Sequence, residues 1–126
     1  TLCAVSKNKE YLGGVIMPGI AMAMGALESQ TARLPAVETV RPEVILGRST
    51  VESIQSGLYY GALAGVRFLA SSIAKEQFGD EPPLAVGTGG IGRLFESEEL
   101  VDEFVPELPL LGLRRAVEFS LSEGKR

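Results

Sequence analysis

The chain has 126 residues, a hydrophobic content of 45% and a formal net charge of −4 at pH 7, so it has room for one domain with a core and hardly for two. It contains no histidine and one cysteine, which excludes histidine-based acid–base catalysis, the usual Cys/His metal sites and an internal disulfide. Its Lys and Arg residues are scattered, so we expect no nucleic-acid partner.

The first predicted element is a β-hairpin. Residues Thr1–Ser6 alternate between polar and apolar, residues 7–10 form a polar turn, and Tyr11–Met17 is apolar again. Because the chain begins inside the first strand, we expect a fragment, a processed product or a split subunit.

The uncharged segment Tyr11–Leu27 superficially resembles a membrane span. The Gly13-Gly14 pair and the Pro18-Gly19 turn divide it into pieces that are too short to cross a bilayer. We therefore expect no membrane association and a cytoplasmic location.

Two helices follow the hairpin. The first is predicted from about Ile20 to Leu34, with its methionines in the core, and an irregular connector covers residues 35–46. The second, longer helix opens near Gly47 and ends at Phe78. Within its first turn, Ser49 and Glu52 have the spacing of a capping box.

Glycines recur every four residues along the longer helix, at Gly57, Gly61 and Gly65. Each glycine costs helix stability, about 1 kcal/mol relative to alanine, so a compensating contact is expected. We predict close packing of another helix on this stripe, within the complete fold or across a dimer.

A glycine-rich stretch follows Pro83. Leu84–Val86 is predicted to be a short buried strand, and the glycines after it lead into a helix whose N-terminus could face phosphate or ribose hydroxyls. An ordinary glycine-rich turn without a ligand explains the local pattern equally well. Beyond it we predict a brief strand at Phe104-Val105 and a final helix over Leu110–Leu121.

Four segments, in order and spacing, resemble the second half of the type III pantothenate kinase family, a member of the sugar kinase, actin and heat-shock chaperone superfamily. Leu12–Ile20 resembles its GGxIxPG segment, and Gly47–Gly57 its G-[KR]-[NS]-T-x-[ED]-[AS]-[MI]-x-x-G helix opening. Val86–Gly90 is similar to its adenosine motif, and Leu108–Arg114 to its closing LxLxGL segment.

The resemblance implies an α/β fold of the ribonuclease-H-like, actin-like ATPase type, with a mixed sheet that starts with a hairpin and is flanked by helices. Residues 1–126 would form a single C-terminal domain, and the N-terminal domain would be absent from this chain. The family's phosphate motif, its catalytic aspartate and its D-x-G-T motif have no counterpart here.

The implied activity is the ATP-dependent phosphorylation of pantothenate, the first step of coenzyme A synthesis. The resemblance also implies a divalent cation (Mg²⁺), a monovalent cation (K⁺ or ammonium), and a homodimer or a complementing N-terminal chain. Because phosphoryl transfer depends on groups that this chain lacks, we expect the chain alone to be inactive, with neither catalytic nor metal-binding residues of its own.

The expected site residues are few. Thr50 corresponds to the family threonine that reaches the neighbouring subunit's pantothenate site, and Gly87, Thr88, Gly89 and Gly90 would form the adenosine side of the nucleotide site. Without the resemblance, Thr50 would be read as an ordinary residue at a helix start.

Two further hypotheses remain open at this stage. The domain could be a non-catalytic dimerisation or regulatory module derived from the kinase. Alternatively, it could belong to another kinase of the superfamily that acts on a different small substrate.

Overall fold

The computed structural model describes residues 1–30 and 35–123. The chain divides into two compact units, Thr1–Pro83 and Leu84–Arg126. Both contain helices and a two-stranded sheet, so the mixed α/β composition predicted from the sequence is confirmed.

The first unit opens with the predicted hairpin. Strand β1 spans Leu2–Val5 and pairs antiparallel with strand β2, Tyr11–Val15. Ser6 closes the turn, because its amide donates to the carbonyl oxygen of Glu10 at 2.8 Å and its hydroxyl accepts from the amides of Asn8 and Glu10, each at 3.2 Å. A short polar side chain at this position thus supplies the turn with local partners.

Two helices complete this unit. Helix α1 spans Ile20–Gln30, and the predicted continuation to Leu34 lies outside the described residues. Residues 35–46 form an irregular connector, as predicted. Helix α2 spans Thr50–Phe78, with its end where the sequence predicts it, and Gly79 follows with a positive φ of 62°.

The core of the first unit is built on one face of α2, which contacts both β1 and α1. Its centre is Tyr59, which is 0% exposed and packs edge to face against Tyr60 with ring centroids 5.1 Å apart. The buried apolar side chains are Ala4, Ile20, Met24, Ile54, Leu58, Tyr59 and Leu63. The four that come from α2 recur at helical spacing, so this helix organises the unit.

The second unit contains two very short parallel strands, β3 (Val86–Gly87) and β4 (Glu103–Phe104). A 3-10 helix at Ile91–Glu98 lies between them in sequence, and helix α3 follows at Leu108–Glu123. The predicted strand at Phe104-Val105 is therefore displaced by one residue.

Three predictions in the second unit need correction. The strand lies at 86–87 instead of 84–86, and it is not buried, because Val86 is 40% exposed, Leu84 two residues earlier is 69% exposed, and the sheet has only two strands. The glycines lead into a 3-10 helix, and the last helix begins two residues earlier than predicted, at Leu108. Proline at its second position fits the first turn of a helix, where no amide donor is needed.

None of the helices in the described part of the chain is both long and apolar enough to span a membrane. Helix α3 is nevertheless rich in exposed apolar side chains, such as Leu113 and Phe119. Its charged side chains pair with each other, since Arg114 and Arg115 each contact Glu118 at 3.1 Å.

Candidate functional site

An open groove in the first unit runs between α1 and the start of α2. Its volume is about 1240 Å³. The residues that line it are Pro18, Met22, Ala23, Ala26, Leu27, Gln30, Gly47, Arg48, Ser49, Thr50, Ser53, Ile54, Gly57 and Leu58. The sequence-predicted residue Thr50 thus lines this groove.

The first turn of α2 carries a complete capping box, as predicted from the sequence. Ser49 is the N-cap, and its hydroxyl accepts from the amide of Glu52 at 3.2 Å. In return, the Glu52 carboxylate accepts from the amide of Ser49 at 3.2 Å and from that of Arg48 at 2.6 Å. The amides of the loop before the helix are therefore held by a side chain within the helix.

Gly47 allows this loop to lie directly on the helix. A Cβ atom at this position would stand 2.5 Å from the backbone nitrogen of Ser53 and 2.6 Å from the carbonyl carbon of Glu52. Both neighbours are backbone atoms that cannot rotate away. Glycine is required here for close approach, independently of any ligand.

The connector before the loop is tied to α2 by three side chains. Gln55 donates to the carbonyl oxygen of Glu38 at 3.0 Å, and the Tyr60 hydroxyl donates to that of Pro42 at 3.1 Å. The buried Ser56 hydroxyl donates to the carbonyl oxygen of Ile45. Side chains of α2, the helix that carries Thr50, thereby satisfy some of the backbone hydrogen-bond acceptors of this irregular segment, which has no sheet partners.

The lining of the groove combines apolar and polar side chains. The apolar ones include Met22, Leu27 and Ile54, whereas the start of α2 contributes hydroxyl groups. Arg48 is the one charged residue among the described side chains that line it. A small ligand with an apolar body and an acidic or amide end would suit such a groove.

Thr50 is the first residue of α2, and its side chain is exposed. It stands at the end of the helix that carries partial positive charge, next to Arg48. This position allows the hydroxyl to reach a ligand in the groove.

The glycines of the second unit differ in what they do. Cβ atoms at Gly87 and Gly92 would stand 2.9 Å and 2.6 Å from ring atoms of Phe104. These two glycines therefore make room for an aromatic ring, which is a structural reason for their presence.

The middle of the glycine stretch faces open space. Gly89 has a positive φ of 89°, whereas Gly90 has ordinary helical dihedrals. In the described part of the chain, no atom would lie within 4 Å of a Cβ built at either position. The Thr88 hydroxyl donates to the carbonyl oxygen of Pro106 at 3.4 Å. Of the four predicted nucleotide-binding residues, Gly89 and Gly90 are the two that leave backbone accessible without a packing role.

The predicted site residues fall in different units: Thr50 belongs to the first, and Gly87–Gly90 belong to the second. Sequence reasoning missed the α1 wall of the groove, because it assigned the methionines of this helix to the core. Met24 is buried as predicted, whereas Met22 is 69% exposed and lines the groove. Met22 is two residues from Met24, which places the two side chains on different faces of the helix. This spacing was the signal in the sequence that both methionines could not lie in the core.

Comparison with known proteins identifies the relatives of the chain. The family model of type III pantothenate kinase matches residues 1–72. A type III pantothenate kinase of Legionella pneumophila (strain Corby) is 47% identical over 116 residues, which are 92% of this chain and 45% of that protein.

Other relatives agree. Type III pantothenate kinase 1 of Francisella tularensis subsp. holarctica (strain OSU18) is 43% identical over 114 residues, covering 90% of this chain and 44% of the relative. The type III pantothenate kinase of Elusimicrobium minutum (strain Pei191) is 43% identical over 118 residues, which are 94% of this chain and 46% of that protein. The chain spans less than half the length of these curated relatives. With more than half of its residues matched by the family model, it belongs to the type III pantothenate kinase family.

Proposed function

We propose that the complete protein containing this chain transfers the γ-phosphoryl group of ATP to pantothenate, with pantothenate held in the groove between α1 and α2. The observation that carries the proposal is the groove itself, which is lined by Thr50 and Arg48 at the start of α2 and by apolar side chains. Pantothenate has a carboxylate, two hydroxyls, an amide and a branched apolar centre, which match this combination. The 43–47% identity to type III pantothenate kinases supports the assignment.

On the pantothenate side, the Thr50 hydroxyl would hydrogen-bond to a polar group of the substrate. Arg48 would stabilise its carboxylate through a charge-assisted hydrogen bond. In a homodimer, the groove that this threonine lines would complete the pantothenate site of the neighbouring subunit.

On the nucleotide side, Gly87, Thr88, Gly89 and Gly90 would form one wall of the adenosine site. The exposed backbone of Gly89 and Gly90 leads into a 3-10 helix that has no side-chain cap among the described residues, so its first amides can donate hydrogen bonds to a ligand oxygen. Gly87 and Thr88 would shape this wall indirectly, through the Phe104 ring and the Pro106 carbonyl.

We further propose a ribonuclease-H-like, actin-like ATPase fold for the complete protein, with residues 1–126 as its C-terminal domain. The hairpin, the helices on its face and the parallel pair of the second unit are compatible with parts of such a sheet. A cytoplasmic location would follow from a role in coenzyme A synthesis.

Phosphoryl transfer would need ATP with Mg²⁺, and a monovalent cation, K⁺ or ammonium. In the described residues, no cluster of three or more acidic, cysteine or histidine side chains could hold a metal ion. We assign this chain the binding and orientation of the substrates. The base and the phosphate-binding groups would lie on polypeptide outside residues 1–126, so these residues alone would be inactive.

The proposal is tested by incubating the complete protein with ATP, Mg²⁺, K⁺ and pantothenate, and by detecting 4′-phosphopantothenate by mass spectrometry. Other small hydroxy acids, supplied at the same concentration, test whether a different substrate is preferred. Absence of phosphopantothenate together with phosphorylation of another acid would move the protein to a different kinase activity. Absence of any ATP-dependent product would favour the non-catalytic dimerisation or regulatory module.

A further inference from the structure

The loop before α2 is held by more contacts than a helix start requires. A capping box satisfies the N-cap amide, yet here the Glu52 carboxylate also accepts from the amide of Arg48, one residue earlier, and this bond is the shorter of the two. A single carboxylate oxygen, Oε2, receives both amides. Two consecutive peptide units of the loop are thereby fixed by one side chain.

Further contacts leave the loop little freedom to move. The amide and the hydroxyl of Ser53 both donate to the carbonyl oxygen of Ser49, at 2.9 Å and 2.8 Å. Gly47 lies against the backbone of Glu52 and Ser53, and Ser56 anchors the carbonyl oxygen of Ile45 just before it. The backbone from Ile45 to the helix start is thus attached at both ends and in the middle.

The consequence concerns the two residues that project from this loop into the groove. Arg48 and Thr50 lie on either side of Ser49 and have exposed side chains. Their positions depend on backbone dihedrals that the Glu52 carboxylate restricts. Holding ligand-contacting groups in place before the ligand arrives reduces the entropy lost on binding.

We propose that Glu52 is a positioning residue for substrate binding: its carboxylate fixes the 47–50 loop so that Arg48 and Thr50 face the groove in a binding-competent arrangement. This role rests on the proposed pantothenate site. It differs from the ordinary capping function because it predicts a loss of affinity for the substrate and not only a loss of helix stability.

The test compares Glu52 variants of the complete protein at a temperature well below the unfolding midpoint of each. Glu52→Ala removes both acceptor bonds, so the KM for pantothenate should rise about fivefold or more while kcat changes less than twofold, because the lost interaction serves binding. Glu52→Gln retains an oxygen that can accept both amides, and its KM should stay within about twofold of the wild-type value. Amide hydrogen exchange at Arg48 and Ser49 should accelerate in Glu52→Ala only.

Glu76→Ala is the matched control, because Glu76 is an exposed carboxylate in the last turns of the same helix whose partner is the neighbouring Gln77 side chain. Its KM should equal that of the wild type. If Glu52→Ala does not fold, Glu52→Asp replaces it, since the shorter side chain withdraws the carboxylate from the two loop amides while keeping a negative charge at the helix start. This variant should also raise the KM for pantothenate.

The outcomes separate the two proposals. An unchanged KM in Glu52→Ala, with a raised KM in Thr50→Ala, would overturn the positioning role and leave the site in place. A wild-type protein that neither binds nor phosphorylates pantothenate would instead remove the proposed function. A KM that rises equally in Glu52→Gln and Glu52→Ala would also contradict the positioning role, because an oxygen acceptor would then not suffice.

Discussion

Thr50 and Gly90 are candidate ligand contacts whose identity is not explained by packing. Both are exposed, and neither has a packing role that would explain its identity. Gly47, Gly87 and Gly92, in contrast, are accounted for by backbone or ring atoms that would overlap with a Cβ. The residues without such a reason are the better candidates for ligand contacts.

Replacing Thr50 by alanine should weaken pantothenate binding about tenfold, which corresponds to the roughly 1.4 kcal/mol expected for one lost hydrogen bond. Titration calorimetry on the complete protein measures this change. Thr50→Ser keeps the hydroxyl and should bind pantothenate nearly as well as the wild type. Equal affinity in the wild type and Thr50→Ala would exclude Thr50 from the site.

The glycines of the second unit can be separated by a pair of alanine variants. Gly92→Ala should lower the free energy of unfolding by about 1–3 kcal/mol, because its methyl group would overlap with the Phe104 ring. Gly90→Ala has space and suitable dihedrals, so folding should be unaffected while the KM for ATP rises. Urea denaturation and steady-state kinetics supply the two measurements, and a normal KM for ATP in Gly90→Ala would argue against a nucleotide wall at this position.

At the scale of the element, α2 was the most predictable part of the chain. Its cap at Ser49, its capping-box partner Glu52 and its end at Phe78 all follow from local chemistry that is visible in the sequence. The β-hairpin was predictable for the same reason, since alternation and a polar turn define it. Its boundaries did not depend on distant residues.

The second unit was less predictable because distant contacts decide its elements. The short strand β3 begins at Val86, where it pairs with β4, and Ala85 just before it exchanges hydrogen bonds with Asp102, seventeen positions away. The Phe104 ring explains Gly87, which the family resemblance assigns to the nucleotide site, and it also explains Gly92. Neither partner can be inferred from the glycine-rich sequence itself.

The glycine stripe of α2 remains a prediction. Among the described residues, no atom lies within 4 Å of a Cβ built at Gly57 or Gly61, whereas one at Gly65 would stand 3.1 Å from the end of the Met17 side chain.

The cap of α2 should contribute measurably to stability. Ser49→Ala removes the acceptor for the Glu52 amide and should lower the free energy of unfolding by about 1 kcal/mol. The control is Ser71→Ala, an exposed position within the same helix whose hydroxyl donates to the carbonyl oxygen of Phe68, where alanine should be neutral or slightly stabilising. Equal thermal unfolding midpoints for Ser49→Ala and the wild type would show that the cap is energetically unimportant.

Helix α3 of the second unit carries several exposed apolar side chains. Helix α3 exposes Leu110, Leu113, Val117 and Phe119, each by more than half of its surface. Single exposed apolar residues are common, but a helix with so many of them usually has a partner. A complementing chain or a second subunit would supply that partner in the proposed kinase.

The most direct test of the proposed division of labour is an assay of 4′-phosphopantothenate formation with two samples, the complete protein and the purified 126-residue chain. Both receive ATP, Mg²⁺, K⁺ and pantothenate. We predict ATP-dependent product from the complete protein and none above background from the chain alone. Product formation by the chain alone, or its absence from the complete protein, would contradict the proposal that these residues bind and orient the substrates while phosphoryl transfer depends on groups elsewhere.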